Sequence, residues 1–269
     1  MIRFPAKCAL FGEHSVLRGY SALVLPLPYF STTLTVVQNT KAVRFWLNGR
    51  EIVLPDFLQD FLSPLTEDLS FTSTVPEKSG LGSSAAFCAC VATRFYKKGF
   101  IGKEEIFSKA LELENYFHGK SSGLDVAGVM SCGLTRYQMN RPPERLDVSY
   151  KPFLYVSYCG TASATKDAVQ KVYAHPKTAY IDQEMSYAGD RFLHGLMDES
   201  LAVLKEAMDR GYACFEQWDL VKPFEEHRSH LLASGALAVK PTGAGDGGYM
   251  LSLWQDSPPS SLSLIPVFS

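Results

Sequence analysis

The chain has 269 residues, 46% of them hydrophobic and 20% charged, with a formal net charge of −2 and a pI of about 6.3. That composition excludes a disordered chain and fits one large or two ordinary globular domains. The lack of a long basic run excludes a nucleic-acid partner, and no stretch approaches the ~20 apolar residues of a membrane span.

In chain order, Arg3 to Phe11 reads as a strand and Gly12 to Gly19 as a turn region. Gly12-Glu13-His14 breaks the N-terminal apolar run too early for a signal peptide, so no membrane partner and a cytoplasmic location are expected. Ser21 to Pro26 is apolar, and Ser31 to Val37 alternates with the period of a strand. Val43 to Leu47 and Glu51 to Leu54 flank Asn48-Gly49, a strong hairpin signal. Phe57 to Leu65 reads as a short helix and Phe71 to Val75 as a strand. Helices are expected over Ala85 to Tyr96, stopped by Lys97-Lys98-Gly99, and over Glu104 to His118, where Ile106, Ala110, Leu113 and Phe117 form one apolar face.

Pro142-Pro143 opens a polar stretch to Tyr150, the best boundary between an N-terminal region (1–150) and a C-terminal one (151–269). Beyond it, Phe153 to Tyr158 reads as a strand and Thr165 to Tyr173 as a helix. Longer helical stretches follow over Asp182 to Arg210 and Ala213 to Ser234. Ala236 to Lys240 and Tyr249 to Trp254 read as strands around a glycine loop. Strands and helices mix without regular alternation, which predicts an α+β fold in two lobes. The six cysteines, at 8, 88, 90, 132, 159 and 214, form no C-x-x-C pair and read as buried, reduced thiols. His227 and His230, at i, i+3, have no completing ligands and read as a solvated helix face.

Five places carry potential chemistry. Ser79-Gly80-Leu81-Gly82-Ser83-Ser84-Ala85-Ala86 joins a turn to a helix. Such a stretch is either an ordinary helix cap or a cradle in which free backbone N–H groups and the helix N-terminus hold phosphate. Lys7, inside an apolar strand, is either an edge residue that snorkels or a cation aimed into a cleft. Glu114 falls beside the apolar face of its helix, where a carboxylate needs a partner such as Mg²⁺, whereas Glu112 falls on the polar side. Asp125, after Ser121-Ser122-Gly123, is either a helix N-cap or a base at a loop end. Thr242-Gly243-Ala244-Gly245-Asp246-Gly247-Gly248 is a second backbone-rich anion loop. Two glycine loops, a strand lysine and two carboxylates are the parts of a phosphoryl-transfer site, without the Walker or protein-kinase signatures.

In this combination the chain resembles the GHMP small-molecule kinase superfamily. The resemblance rests on four stretches in order: Lys7 to Val16, Gly80 to Ala86, His118 to Asp125, and Lys240 to Gly248. Within the superfamily, Gly-Glu-His-Ser-Val with Gly19 and Ser21-Ala22-Leu23 is most similar to the mevalonate kinases. The resemblance implies the two-lobed GHMP fold, with a ribosomal protein S5 domain 2-like N-terminal lobe and a ferredoxin-like C-terminal lobe. It implies phosphorylation by ATP of a primary alcohol on a small carboxylic acid, with Mg²⁺ as second cofactor, by a monomer or homodimer.

The site roles it implies fall residue by residue. Asp125 accepts or orients the substrate hydroxyl, and Lys7 holds Asp125 ionised. Lys78, Ser79, Gly80, Leu81, Gly82, Ser83, Ser84 and Ala85 wrap the nucleotide, and Ser84 with Glu114 binds Mg²⁺. Glu13, His14, Thr165, Gly243 and Ala244 face the substrate. Other superfamily activities are phosphomevalonate kinase, mevalonate diphosphate decarboxylase and homoserine kinase, and a silent nucleotide-binding regulator is a reading of another class. The chain departs from the pattern at Lys78-Ser79, at Asp246, and in a tail after Trp254 too short for the usual last helix. Asp246 is expected to repel the ATP phosphates, so that Asp246→Gly tightens the apparent KM for ATP-Mg²⁺ severalfold; the competing reading is a carboxylate that faces solvent or a cation without effect on binding.

Overall fold

A computed structural model describes residues 1–39, 44–53, 55–163 and 165–268. The expected strand ends Val43 and Leu54 therefore lie outside the described residues. The chain forms two compact units interleaved in sequence: Met1–Lys7, Pro26–Pro76 and Gly82–Met130 in the first, Cys8–Leu25, Glu77–Leu81 and Ser131–Ser269 in the second. They do not divide at a single chain position, and residues 8–25, 77–81 and 131–150 group with the C-terminal half.

The first unit holds the start of β1 (Ile2–Phe11), most of β2 (Ala22–Asn39), then β3 (Arg44–Leu47), β4 (Arg50–Ile52), α1 (Asp56–Leu62), β5 (Glu67–Ser73), α2 (Ser83–Lys97), α3 (Ile106–His118) and α4 (Leu124–Met130). Its strands run in the order β4-β3-β5-β2. The β3–β4 hairpin turns at Asn48 (φ 51°) and Gly49 (φ 79°), the left-handed pair that a two-residue turn of this type requires. β2 pairs with β5 with Leu34 opposite Phe71, which puts both in the core. β2 is one strand where the sequence suggested two short ones, and it runs through Pro26 and Pro28.

α2 carries Ala85, Ala86, Cys88, Ala89, Cys90, Val91 and Ala92, all fully buried. Small side chains let this helix bury nearly all its faces among Leu34, Leu69, Phe71, Leu113, Val126 and Val129. On α3, Ala110, Leu113 and Glu114 are buried, while Glu112 points outward and pairs with Lys109 at 3.0 Å. The expected split between the two glutamates therefore holds.

The second unit adds β6 (Thr135–Tyr137), β7 (Glu144–Arg145), β8 (Phe153–Tyr158), α5 (Thr165–Ala174), α6 (Thr178–Met197), α7 (Leu201–Gln217), α8 (Glu225–Ala233), β9 (Ala238–Thr242), β10 (Tyr249–Trp254) and β11 (Ile265–Pro266). Four strands form an antiparallel sheet in the order β11-β8-β10-β9. The tail thus supplies an edge strand, and among the described residues no helix follows Trp254.

The stretch expected as one helix from Asp182 to Arg210 is two, parted at Asp198-Glu199-Ser200. Glu199 has φ 52°, and the Ser200 hydroxyl accepts the Val203 N–H to start α7. α6 and α7 then pack closely, since a Cβ on Gly195 would sit 2.8 Å from Leu204 Cδ2. The next expected helix, Ala213 to Ser234, breaks at Asp219 (φ 57°) before Lys222-Pro223, and α8 begins only at Glu225.

Two further expectations need correction. All six cysteines are free, but Cys132 is exposed and Cys159 half-buried rather than buried. His227 is half-buried and its Nε2 lies 2.8 Å from the Ser157 hydroxyl, so that side of α8 is not simply solvated. No helix among the described residues is long and apolar enough to cross a membrane.

Candidate active site

In the first unit, Lys7 does not snorkel. Its side chain is 3% exposed and its ammonium lies 2.8 Å from Asp125 Oδ1. Asp125 is not a cap either. α4 begins at Leu124, whose N–H is taken by the Ser122 hydroxyl, and the Gly123 carbonyl accepts the Ala127 N–H. Asp125 stands inside the first turn with its side chain one-third exposed. A buried cation thus fixes a carboxylate that remains open to solvent on one side.

Gly82 begins α2 from the left-handed region (φ 78°), with its carbonyl accepting the Ala86 N–H at 3.0 Å. A Cβ there would meet Lys7 Cγ at 2.9 Å, so the glycine loop packs closely on the Lys7 side chain. The N–H groups of the first turn, at Ser83, Ser84 and Ala85, lack helical carbonyl partners, and a 15-residue helix stands behind them.

In the same first turn of α2, the Ser84 hydroxyl donates to Glu114 Oε1 at 2.9 Å and lies 3.0 Å from His118 Nε2. The Cys88 thiol donates to Glu114 Oε2 at 3.2 Å. Burial, and then the Asp125 charge, raise the Glu114 carboxyl above the usual carboxylate range. Burial and the same carboxylate push the Cys88 thiol well up, so it is an inert donor here. Two hard oxygen ligands beside a pair of mutually repelling carboxylates fit a divalent oxophilic cation.

In the second unit, Gly80 and Gly243 pack backbone to backbone. A Cβ on Gly243 would sit 3.3 Å from Gly80 Cα. The two glycine loops, with Gly80 and Gly243 lying 163 residues apart in the chain, are therefore neighbours. Ser79 is buried and its hydroxyl accepts the Leu81 N–H at 3.3 Å, while Lys78 is exposed at φ 51° with its carbonyl bonded to the Ser163 N–H. A Cβ on Gly248 would clash with the Ser79 carbonyl at 2.7 Å, which tightens this loop pair further.

His14 Nε2 lies 2.7 Å from the Ala244 carbonyl. A carbonyl only accepts, so Nε2 carries the proton and the neutral ring presents Nδ1 as an acceptor. The ring packs edge-on against Trp218 and Phe215. Glu13 Oε1 faces Lys240 Nζ at 3.4 Å, and Lys240 is fully buried over the rings of Phe11 and Phe215. Glu13, His14, Gly243 and Ala244 are thus brought together, whereas Thr165 stands exposed at the start of α5.

Burial lowers the His14 pKa from 6.5 to about 4, opposed by the Ala244 bond and reinforced by Arg18. Between those values the unfolded chain binds a proton that the folded chain refuses. Stability is therefore full above pH ~6.5 and falls as pH drops toward ~4, by at most about 3 kcal/mol from this one group. Thermal melts across that window are expected to show a steeper acid decline in the wild type than in His14→Gln, whose amide nitrogen replaces the Nε2 donor. Parallel declines would remove His14 from the acid limb.

Asp246 is held by its N–H to the Leu220 carbonyl and by an ion pair with Lys171 at 3.0 Å. Its charge is met by a cation, which favours the reading without effect on nucleotide binding. Asp246→Gly suits the φ of 57° and removes only a surface pair worth at most about 1 kcal/mol. The apparent KM for ATP is expected to change less than about twofold at low salt. A severalfold tightening would mean that the carboxylate does repel the phosphates.

Two residues here carry no sequence signal of their own: Arg18 and Asp182. Arg18 Nε and Nη2 bind the two oxygens of Asp182, a fully buried residue of α6. Only the structure brings residue 18 to residue 182.

Residues 52–133 match the family model of the GHMP kinases N terminal domain. The mevalonate kinase of Aeropyrum pernix is 26% identical over 297 aligned residues, covering 94% of this chain and 87% of that protein. That of Pyrococcus horikoshii is 27% identical, covering 93% and 87%. Among solved structures, L. major mevalonate kinase in complex with R-mevalonate superposes with a TM-score of 0.74 at 20% identity, covering 95% of this chain and 87% of that one. Streptococcus pneumoniae phosphomevalonate kinase in complex with phosphomevalonate and AMPPNP gives 0.76 at 14% identity, covering 95% and 92%. The glycine loops and the Lys7–Asp125 pair thus stand in a chain whose residues 52–133 match the GHMP kinases N terminal domain and which is similar over most of its length to mevalonate kinases.

Proposed function

We propose that the protein transfers the γ-phosphoryl group of ATP to the primary alcohol of mevalonate, giving 5-phosphomevalonate and ADP. The observation that carries this reading is the 2.8 Å pair of buried Lys7 with half-open Asp125, packed against the glycine that opens the phosphate loop. Asp125 takes the proton of the substrate hydroxyl as its oxygen bonds to the γ-phosphorus and the bond to the ADP oxygen breaks. Lys7, paired with Asp125 at 2.8 Å, fixes that carboxylate in place and offsets charge on the transferred group. The loop from Lys78 through Ala85 holds the ATP phosphates by backbone N–H groups, and Glu13, His14, Thr165, Gly243 and Ala244 hold the substrate.

Ser84 and Glu114 would bind Mg²⁺, which supplies charge neutralisation on the phosphates. Ser84→Ala and Glu114→Gln are each expected to raise the Mg²⁺ concentration needed for half-maximal turnover severalfold. Each removes an oxygen donor from a hard cation that keeps few protein ligands. Unchanged magnesium titrations in both variants would move the metal elsewhere.

The choice of mevalonate follows the likeness of the first motif and the curated relatives. A coupled ADP-release assay with ATP-Mg²⁺ against mevalonate, phosphomevalonate, homoserine and galactose tests it. Turnover is expected with mevalonate above the others, and a preference for any other acceptor would overturn the assignment. ADP release with none of them would leave a nucleotide-binding regulator.

A further inference from the structure

Six buried side-chain nitrogen or oxygen atoms have no hydrogen-bond partner among the described residues, and four belong to residues 13–18: Glu13 Oε2, His14 Nδ1, Ser15 Oγ and Arg18 Nη1. Each unmade buried bond costs about 1–3 kcal/mol, so such a concentration marks a place completed by something else. The atoms share one neighbourhood. The His14 ring and the Lys240 ammonium, which meets Glu13, both lie against Phe215; the adjacent Cys214 thiol contacts the carbonyl of Ile181, next to the Asp182 that grips Arg18.

Their chemistry is specific. Lys240 uses one Glu13 oxygen and leaves the other as an acceptor. The Ala244 bond fixes His14 Nδ1 as a second acceptor. Arg18 supplies the opposite kind of group. Asp182 grips Nε and Nη2, with Nη2–Oδ1 at 2.6 Å, and the Tyr173 ring lies 5.2 Å from the guanidinium carbon. A fork clamped on one edge and covered on one face cannot swing, so the N–H groups of Nη1 are donors in a set direction. The Glu13–Lys240 and Arg18–Asp182 pairs balance, and neutral His14 adds no charge. A ligand is therefore read by directed hydrogen bonds. The ligand complementary to this set offers hydroxyl donors to Glu13 and His14 and an anionic acceptor to Arg18.

We infer that Arg18, clamped by Asp182, reads the carboxylate of the acceptor substrate and makes the enzyme selective for a hydroxy acid over its neutral counterpart. This rests on the mevalonate reading above. It adds to that reading a specificity residue outside the glycine motifs.

The test compares mevalonate with its methyl ester, which keeps the primary alcohol and loses the charge, in the wild type and in Arg18→Met. Wild-type kcat/KM is expected to favour the acid by about tenfold or more, the size of one charge-assisted hydrogen bond. In Arg18→Met the KM for mevalonate rises by a similar factor, the acid-to-ester preference collapses, and the KM for ATP holds. If Arg18→Met does not fold, Arg18→Lys keeps the charge, loses the clamped fork, and is expected to reduce the same preference. An unchanged acid-to-ester ratio in the folded variant overturns the inference. So does a uniform fall in kcat with both acceptors and a shift in the KM for ATP, which is the mark of a merely structural pair.

Calorimetric titration of mevalonate and the ester into the same proteins separates the two claims. Turnover without acid preference keeps the kinase reading and rejects Arg18. Acid-selective binding without turnover keeps Arg18 and rejects the reading. Neither binding nor turnover rejects both.

Discussion

Asp125→Asn is expected to lower kcat with mevalonate by about a thousandfold while the dissociation constant for ATP-Mg²⁺ stays within a few-fold of wild type. The substitution keeps the size and shape of the side chain and removes its charge. A neutral amide accepts no proton from the substrate hydroxyl and pairs weakly with Lys7, which lies 2.8 Å away and only 3% exposed. The ammonium would then be a buried cation without its anion, so the folded state also loses stability, by a few kcal/mol if no water compensates. The two losses separate experimentally. Melting in the presence and absence of nucleotide reports the structural cost, and single-turnover rates well below the melting point report the chemical one. Near-normal turnover in a folded variant would mean that Asp125 only anchors Lys7 and that another group takes the proton.

The parts of this site that the sequence shows are those made by contiguous residues. A glycine-rich stretch before a small-residue helix needs no partner to be recognised, and the loop at Gly80 to Ser84 stands where the spacing puts it. The burial of Glu114 against the exposure of Glu112 follows from helical periodicity alone. What the local pattern leaves open is decided by tertiary contact. Lys7 as a snorkelling edge residue and Asp125 as a cap are each reasonable in isolation, and each is settled by the other. Asp246 reads as a charge beside phosphates until Lys171, 75 residues away, meets it. Arg18 and Asp182 are 164 residues apart and belong to no motif, so their pairing has no sequence signature. Helix ends fail for a different reason. The breaks at Glu199 and Asp219 depend on positive φ at acidic residues, which propensity does not foresee.

Gly82→Ala tests how tightly the glycine loop and the Lys7–Asp125 pair are coupled, and it is expected to lower kcat about a hundredfold. Two costs arise at once. At φ 78° any side chain is strained, by about 1–2 kcal/mol. The added methyl also lands 2.9 Å from Lys7 Cγ and 3.4 Å from Val129 Cγ1. The lysine stem has little room to yield, being buried with its ammonium tied to Asp125. Either Lys7 shifts and draws its charge from Asp125, or the first turn of α2 moves and takes the Ser83 and Ser84 N–H groups with it. Both displace groups that act by position. Gly99→Ala is the matched control, since Gly99 has nearly the same φ, 76°, and open space where the methyl would go. It carries the backbone strain without the collision. Both variants are expected to melt earlier than wild type, with only Gly82→Ala losing turnover out of proportion to its stability. If the two lose activity equally, the effect is strain alone, and the contact between Gly82 and Lys7 has no part in catalysis.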